Sequence, residues 1–281
     1  MLTPLPPYPA AMIKTRRTRT IVIADLHIGW EIALSKKGIH VPTQTQRLKE
    51  KLSILIEKYD PQTLLILGDV KHTVATAEKS EWHDVPDIFD WLKKQISEIC
   101  IIRGNHDGNL EPLLPERIKL LPATGIALDD VGLFHGHKWP SPTLLKCRIL
   151  IMGHIHPVVS FRDPSGFRIS KQVWIKSECN TAQLTETLLK KHKLKIETNQ
   201  EETLQKHYHV KPKTQQIFIM PSFNDFLGGK PLNATRLSDD ARKDLGLGPI
   251  LRSQAVDMGK AETYLLDGTF LGTLQQLKAL N

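Results

Sequence analysis

The stretch IIRGNHDGN (residues 101–109) joins the end of a buried-strand pattern to a polar turn. Its first residues continue an apolar run that begins at Ile99, which is typical of a strand inside a sheet. The glycines and asparagines that follow are turn residues, because they tolerate tight backbone geometry. A turn alone does not explain why an imidazole, His106, stands beside a carboxylate, Asp107. The stretch therefore predicts a strand that ends in a chemically active turn.

Two upstream runs repeat this strand pattern. The three runs are TIVIAD (20–25), TLLILGD (63–69) and EICIIRGN (98–105). Apolar residues recur at helical spacing between them, first over 48–59 and then over 85–96. The order strand, helix, strand, helix, strand predicts a parallel sheet with crossover helices.

After residue 120 the pattern changes to strands with short connections. These strands are GIALD (125–129), VGLFH (131–135), RILIMGH (148–154), VVSFR (158–162) and QVWIK (172–176). Short connections favour hairpins, so we expect a second, mixed or antiparallel sheet beside the first.

We interpret residues 19–281 as one domain preceded by an N-terminal segment, 1–18. The lysine-rich stretch 181–213 reads as a basic polar insertion on the surface, since charge runs are usually solvated. Strand-like residues within 216–281 are expected to complete the sheets. A domain boundary near residue 181 is the alternative.

The composition limits the class of protein. The chain has 281 residues and 40% hydrophobic residues, enough for a sizeable core, and its net charge of +8 suits partners that carry phosphate. Three widely separated cysteines predict buried thiols in a reducing compartment rather than disulfides. We find no apolar run of signal-peptide or membrane-span length, so we expect a cytoplasmic protein with no membrane association.

Polar side chains follow five of the predicted strands where each strand ends. They are Asp25 and His27, Asp69 and His72, Asn105 with His106 and Asp107, His135 and His137, and His154 and His156. Seven of the twelve histidines belong to these clusters, too many for scattered surface residues. Ligands of open α/β sheets bind at the carboxyl ends of the strands, so we expect the clusters to converge on one site.

Each cluster alone has a structural explanation. An Asp-x-His pair is typical of a loop or helix cap, a Gly-Asp pair ends many strands, and paired histidines can be exposed. Five such coincidences at five strand ends are a weaker explanation than one site. Imidazole, carboxylate and amide donors without thiolate suit manganese, iron, zinc, cobalt or nickel, and a central aspartate could bridge two ions ~3.5–4 Å apart.

Five motifs in this order, DLHIG, GDVKH, GNHD, FHGH and GHIHP over residues 25–157, resemble those of the calcineurin-like metallophosphoesterase superfamily. The resemblance implies an α/β fold, a two-sheet αββα sandwich. It also implies two divalent metal ions, which we expect to be Mn²⁺, with Fe, Zn, Ni or Co as alternatives. By motif, the ligands of the first ion are Asp25, His27 and His156. Those of the second are Asn105, His135 and His154, and Asp69 bridges the two.

The same resemblance gives roles to three further residues. His106 is expected to contact the scissile phosphate and to protonate the leaving oxygen, and Asp107 to orient His106. GDVKH is similar to the motif of SbcD-type repair nucleases, in which the extra histidine, here His72, acts on the nucleic-acid phosphate. The alternative is that His72 is a surface residue beyond the bridging ligand.

The substrate is left open among three function classes. We favour a metal-dependent phosphodiesterase or nuclease acting on DNA or RNA. The alternatives are a small-molecule enzyme that cleaves cyclic nucleotides or phosphomonoesters, and a non-enzymatic scaffold in a repair or RNA-processing assembly. The chain most resembles small archaeal SbcD-related phosphoesterases and their bacterial relatives associated with DNA ligase or helicase genes. That resemblance implies nucleic acid as a partner, with a helicase, a ligase or another repair protein as a candidate.

Overall fold

Two β-sheets pack face to face, and helices cover the outer face of each. The computed structural model describes residues 2–234 and 247–280. The described ranges contain no helix that is both long and apolar enough to cross a membrane. The predicted αββα sandwich is confirmed.

The first sheet has six strands in chain order. They are β1 (Leu2–Pro4), β2 (Ala11–Lys14), β3 (Arg19–Ile23), β4 (Thr63–Ile66), β5 (Glu98–Ile102) and β6 (Lys119–Leu121). The last four run parallel, while β1 and β2 add an antiparallel edge. Helix α1 (Trp30–Ser35) follows β3, and the crossovers contain α2 (Thr45–Tyr59) and α3 (Lys79–Leu92). The parallel sheet predicted from three apolar runs is present.

The second sheet has eight strands, of mixed direction as predicted. They are β7 (Ile126–Leu128), β8 (Val131–Leu133), β9 (Ile149–Met152), β10 (Val158–Arg162), β11 (Arg168–Glu178), β12 (Gln216–Ile219), β13 (Glu262–Leu265) and β14 (Phe270–Thr273). The main path is β14-β13-β11-β12-β9-β8-β7, and β10 pairs with β11. Its outer helices are α4 (Thr181–Lys191), α5 (Gln200–Tyr208), α6 (Pro249–Arg252) and α7 (Leu274–Ala279). Two short 3₁₀ turns, Glu111–Leu113 and Pro142–Lys146, lie in connections.

Alternation along the strands explains why both faces of the first sheet are buried. In β4, Leu64 and Ile66 face helices α2 and α3, whereas Leu65 faces the second sheet. The same alternation in β3 places Val22 between the sheets, where it joins the cluster that contains Trp174 of β11. Central strands that are covered on both faces need apolar residues at every position, which is the pattern of the three runs.

The structure differs from the sequence interpretation at the N-terminus. Residues within the segment 1–18 form β1 and β2, and β2 pairs with β3 over Ala11–Lys14. Met12 is buried against the helices and Ile13 between the sheets. The prolines in this stretch hid the strand pattern, because proline weakens a strand prediction.

The stretch 181–213 also differs from the predicted polar insertion. It forms α4 and α5, and Leu184, Leu188 and Leu204 lie in the core beside the second sheet. Lys190, Lys191 and Lys206 lie on exposed faces of the helices, and the other four lysines of the stretch are exposed in the segments that follow each helix. Apolar residues at i and i+4 in α4 are therefore the informative pattern, and the lysine count obscured it.

The buried face of α4 gives a stability prediction. Replacing Leu188 with Ala should lower the free energy of unfolding by about 2–5 kcal/mol, because it opens a cavity in the core. Lys191→Ala, on the exposed face of the same helix, is the control and should change stability by less than about 0.5 kcal/mol. Urea unfolding followed by circular dichroism measures both. Equally small effects would show that α4 is the peripheral insertion that its lysines suggested.

Candidate metal centre

The five polar clusters meet at the carboxyl ends of β3, β4, β5, β8 and β9. Three groups of ligand atoms form there, each with its atoms within 4.8 Å of one another. Two of them contain carboxylates: the first set comprises Asp25, His27, Asp69 and His156, and the second set comprises Asp69, His135 and His154. The third group, His27, His72 and His106, consists of imidazoles alone. The convergence predicted from strand order is therefore present, with Asp69 in both sets.

Asp69 lies between the two sets. Its Oδ2 is 3.4 Å from Nε2 of His27 and 3.3 Å from Nε2 of His135. Asn105 joins the second set, because its Oδ1 is 3.2 Å from Nε2 of His135. On the other side of the centre, Asp25 Oδ1 lies 3.4 Å from Nε2 of His156. All seven side chains predicted as metal ligands are thus brought together.

The backbone at these ligands is strained. Asp25, His27, Asp69, His154 and His156 all have positive φ, between 43° and 76°. Non-glycine residues rarely adopt this left-handed conformation, and it occurs preferentially at functional sites. The turns thereby direct side chains from adjacent strand ends to one point.

Two glycines permit the close approach of the central carboxylates. A Cβ atom on Gly104 would lie 2.1 Å from Oδ1 of Asp69, and one on Gly153 would lie 2.7 Å from Oδ2 of Asp25. Any side chain at either position would displace a carboxylate. The glycines of GNHD and GHIHP therefore have a steric role beside the ligands.

Asp107 holds two of the turns together. Its buried carboxylate accepts hydrogen bonds from the backbone N–H groups of Asp69 (2.9 Å), Val70 (2.8 Å) and Gly104 (2.7 Å). In the described part of the chain the Asp107 carboxylate has no hydrogen bond with the His106 ring, so the expected role of Asp107 in orienting His106 stays a prediction. A buried carboxylate needs several donors, and the two turns supply them.

His106 is oriented by the main chain. Its Nδ1 contacts the carbonyl oxygen of His72, and its backbone N–H donates to Oδ1 of Asp69 (2.8 Å). A carbonyl oxygen only accepts, so Nδ1 must have the proton and Nε2 is the free ring atom. The His72 ring stacks with that of His106, with centroids 5.7 Å apart. His72 is consequently part of the site and not a remote surface residue.

Sequence reasoning missed Glu81, which fixes the turn that contains His72. Glu81 Oε1 accepts from the backbone N–H groups of His72 (2.9 Å) and Thr73 (2.8 Å), and Oε2 contacts the Thr73 hydroxyl. Glu81 is fully buried at the start of α3, where it also forms a capping box with Glu78. Its position three residues after the N-cap residue Glu78 is the sequence pattern that could have indicated a structural role for Glu81.

The donors fit divalent metal ions. Among the described residues, Nε2 of His27 and Nε2 of His156 are buried without a hydrogen bond of acceptable geometry. Buried polar atoms are normally paired, so both atoms need a further partner. Nδ1 of His135 contacts the carbonyl oxygen of Leu67 at 2.6 Å, which fixes the proton on Nδ1 and leaves Nε2 for a metal.

Charge at the centre is unevenly distributed in the absence of metal. Burial alone would lower the pKa of His135, but the charges of Asp69 and Asp25 outweigh it and raise that pKa to about 9. Burial and neighbouring imidazoles lower the pKa of His154 to about 4 and that of His137 to about 3. Burial raises the pKa of Asp69, yet the adjacent His135 and His27 hold it well below its usual value. One imidazolium thus lies among neutral imidazoles.

His137 was noted in the motif FHGH without a role. Its ring lies 5.1 Å from that of His135 and 6.1 Å from that of His154, measured between centroids. Its Nδ1 is buried without a hydrogen-bond partner among the described residues. It lies beside the second set of ligands and outside both sets.

Comparison with known proteins gives the following matches. A family model for calcineurin-like phosphoesterases matches residues 18–177. The crystal structure of nuclease MPE from Pseudomonas putida is similar with 18% identity and a TM-score of 0.50, over 92% of this chain and 97% of that chain. The phosphoesterase Yfce from E. coli is similar with 21% identity and a TM-score of 0.33, over 51% of this chain and 73% of that chain. The first structure supports the fold.

The imidazolium at His135 predicts that metal uptake releases a proton. A histidine must be neutral to bind a metal, so affinity should rise with pH toward about 9, by roughly tenfold per unit for one proton. Calorimetric titration with Mn²⁺ between pH 6.5 and 8, in buffers of different ionisation enthalpy, counts the protons. Identical affinities across this range would contradict the charge assignment at His135.

Proposed function

The chain belongs to the calcineurin-like phosphoesterase family, and from this premise we propose that it is a metal-dependent phosphodiesterase that hydrolyses DNA or RNA. The observation that supports the proposal best is the pair of ligand sets that share Asp69. Two adjacent ions held by one shared carboxylate suit hydrolysis of a phosphoester, in which attacking and leaving oxygens both develop charge.

Each ligand has a proposed role. Asp25, His27 and His156 hold one ion, and Asn105, His135 and His154 hold the other, with Asp69 contributing to both. Bound divalent cations would activate water at neutral pH and neutralise charge on the phosphate. We propose Mn²⁺, with Fe, Zn, Ni or Co as alternatives, because nitrogen and oxygen donors without thiolate suit these ions.

His106 supplies the proton in this proposal. Its Nδ1–H faces the His72 carbonyl, so Nε2 is the atom that holds and donates a proton. Donation from Nε2 to the leaving oxygen avoids release of an alkoxide, as general acid catalysis requires.

Nucleic acid is the proposed substrate for two reasons besides the family. The net charge of +8 favours a polyanion. His72 lies beside His106, with its Nδ1 3.2 Å from Nδ1 of His27, where it can contact a non-bridging oxygen of a diester. The structurally similar Pseudomonas putida protein is described as a nuclease. A helicase or ligase partner stays a prediction of the motif resemblance.

The function is tested by assaying the Mn²⁺-loaded protein on single-stranded and duplex oligonucleotides beside a 4-nitrophenyl phosphomonoester. We expect cleavage of oligonucleotides, and its abolition by EDTA. Asp69→Asn should lower turnover by more than about 100-fold, since even partners of metal ligands matter 10- to 100-fold. Asp90→Asn, exposed on α3, is the control. Hydrolysis of the monoester with no cleavage of any diester would contradict the proposal and favour a small-molecule phosphatase.

Replacing His106 separates proton donation from metal binding. His106→Ala should keep its metal content, measured by mass spectrometry, and lose kcat on oligonucleotides by about 10²–10⁴-fold. The loss should be smaller on an ester with a 4-nitrophenolate leaving group, which scarcely needs protonation. His83→Ala, exposed on α3, should resemble the wild type. Loss of metal together with activity would instead make His106 a ligand.

A further inference from the structure

A partly exposed aromatic cluster lies beside the metal centre. We name it the aromatic platform, and it consists of Trp30, Phe226 and Arg47. The Trp30 and Phe226 rings stack with centroids 6.2 Å apart and planes 29° apart. The Arg47 guanidinium lies over the Phe226 ring, 4.6 Å from its centroid. Phe226 is nevertheless 43% exposed.

Backbone contacts place this platform next to the first ligand set. The backbone N–H of Trp30 donates to the carbonyl oxygen of His27 at 3.0 Å. The loop that contains Phe226 is fixed to the same turn, because the side-chain amide of Asn224 donates to the carbonyl oxygen of Leu26 at 3.0 Å. Both rings are thus attached to the turn that presents His27.

The other end of this loop reaches the second histidine of the same set. Gly229 lies so close to His156 that a Cβ atom there would be 2.1 Å from the His156 carbonyl oxygen. Phe226 is therefore on a segment that passes from the backbone of Leu26, next to His27, to that of His156.

The loop is held firmly although its aromatic side chain is exposed. The backbone N–H of Phe226 donates to Oδ1 of Asn224 at 3.0 Å, and buried Ser222 donates to the carbonyl oxygen of Asn224 at 2.7 Å. Lys51 donates to Asp225 and to the Phe223 carbonyl oxygen, both at 2.7 Å. The loop therefore holds the phenyl ring in place beside Trp30 while part of the ring stays accessible to a ligand.

We propose that the aromatic platform binds an unstacked nucleobase of the substrate, next to the phosphate at the metal centre. This inference rests on the proposed function and names the part of the substrate that is recognised. Every base has a π-face, so stacking on aromatic rings tolerates any sequence. Arg47 lies on the Phe226 ring and pairs with Asp225 at 3.2 Å, and Lys51 pairs with the same carboxylate at 2.7 Å. The three charged groups together have one net positive charge, which favours the phosphate of a base that stacks there. Single-stranded substrates are favoured, because a duplex must first lose a stacked base.

The experiment compares substrates that differ only in one base. Oligothymidylates with a single abasic residue, scanned along the chain, are cleaved by the Mn²⁺-loaded wild type and by variants at position 226. In the wild type, an abasic residue at the platform should lower kcat/KM by about tenfold or more, the effect of losing one stacked base. Phe226→Ala should remove that dependence mainly through KM. Phe226→Tyr should keep it.

Controls make the result specific to stacking. Phe226→Leu keeps an apolar side chain without a π-face and should behave as Phe226→Ala, which guards against a folding defect in the smaller variant. Phe270→Ala removes an exposed phenylalanine on β14, at the far edge of the second sheet, and should behave as the wild type. Circular dichroism and metal content confirm that each variant is intact.

The outcomes separate this inference from the proposed function. Equal cleavage of abasic and complete oligonucleotides by the wild type, or an unchanged preference in Phe226→Ala and Phe226→Leu, overturns the platform and leaves a phosphodiesterase. A wild type that cleaves no phosphodiester under any metal overturns both proposals. A wild-type preference for the complete over the abasic oligonucleotide that is lost in Phe226→Ala and Phe226→Leu supports the platform.

Discussion

Two carboxylates buried close to each other, Asp25 and Asp69, are the constraint on which this site depends. Both are nearly inaccessible to water, and like charges in such surroundings disfavour ionisation unless cationic groups compensate them. The fold supplies four imidazoles around them, His27, His135, His154 and His156, from three strand ends. The carboxylates and imidazoles have to lie within reach of one another. This requires left-handed turns at the ligands and leaves no room for side chains at Gly104 and Gly153.

Other buried carboxylates organise the backbone around this pair. Asp107 joins the turns after β4 and β5, and Glu81 fixes the turn that contains His72. Both accept several N–H or O–H donors, which offset part of the cost of burial. For Asp107, burial and the neighbouring Asp69 still raise the pKa to about 6. The site therefore has two kinds of carboxylate. Asp25 and Asp69 need cationic partners, whereas Asp107 and Glu81 accept hydrogen bonds from backbone amides. A sequence does not distinguish them, because the ligand Asp69 and the backbone anchor Asp107 are the same residue type in turns that follow neighbouring strands.

Local patterns were enough to predict a parallel sheet with crossover helices and a second sheet beside it, whereas the αββα sandwich was implied by the motif resemblance. Alternation and helical spacing identified the parallel strands and their crossovers, and strand ends identified the clusters that converge. Two elements were misinterpreted. The prolines near β2 hid a short strand, and the lysines of α4 hid the apolar residues on its buried face. The partner of the His106 ring could not be predicted either. A carbonyl oxygen has no residue type, so no motif indicates that the main chain of His72 orients His106.

Charge balance connects the metal centre with the basic surface. Without metal, the ionised carboxylates at Asp25, Asp69 and Asp107 outnumber the single imidazolium at His135, so the centre is negative within a protein of net charge +8. Two divalent cations would reverse that sign while displacing the proton from His135. An anionic phosphoester would be repelled by the first charge state and attracted by the second, so we expect its affinity to depend on metal loading. The neutral imidazoles of His137 and His154 sharpen this contrast, because they add no positive charge before the metal arrives.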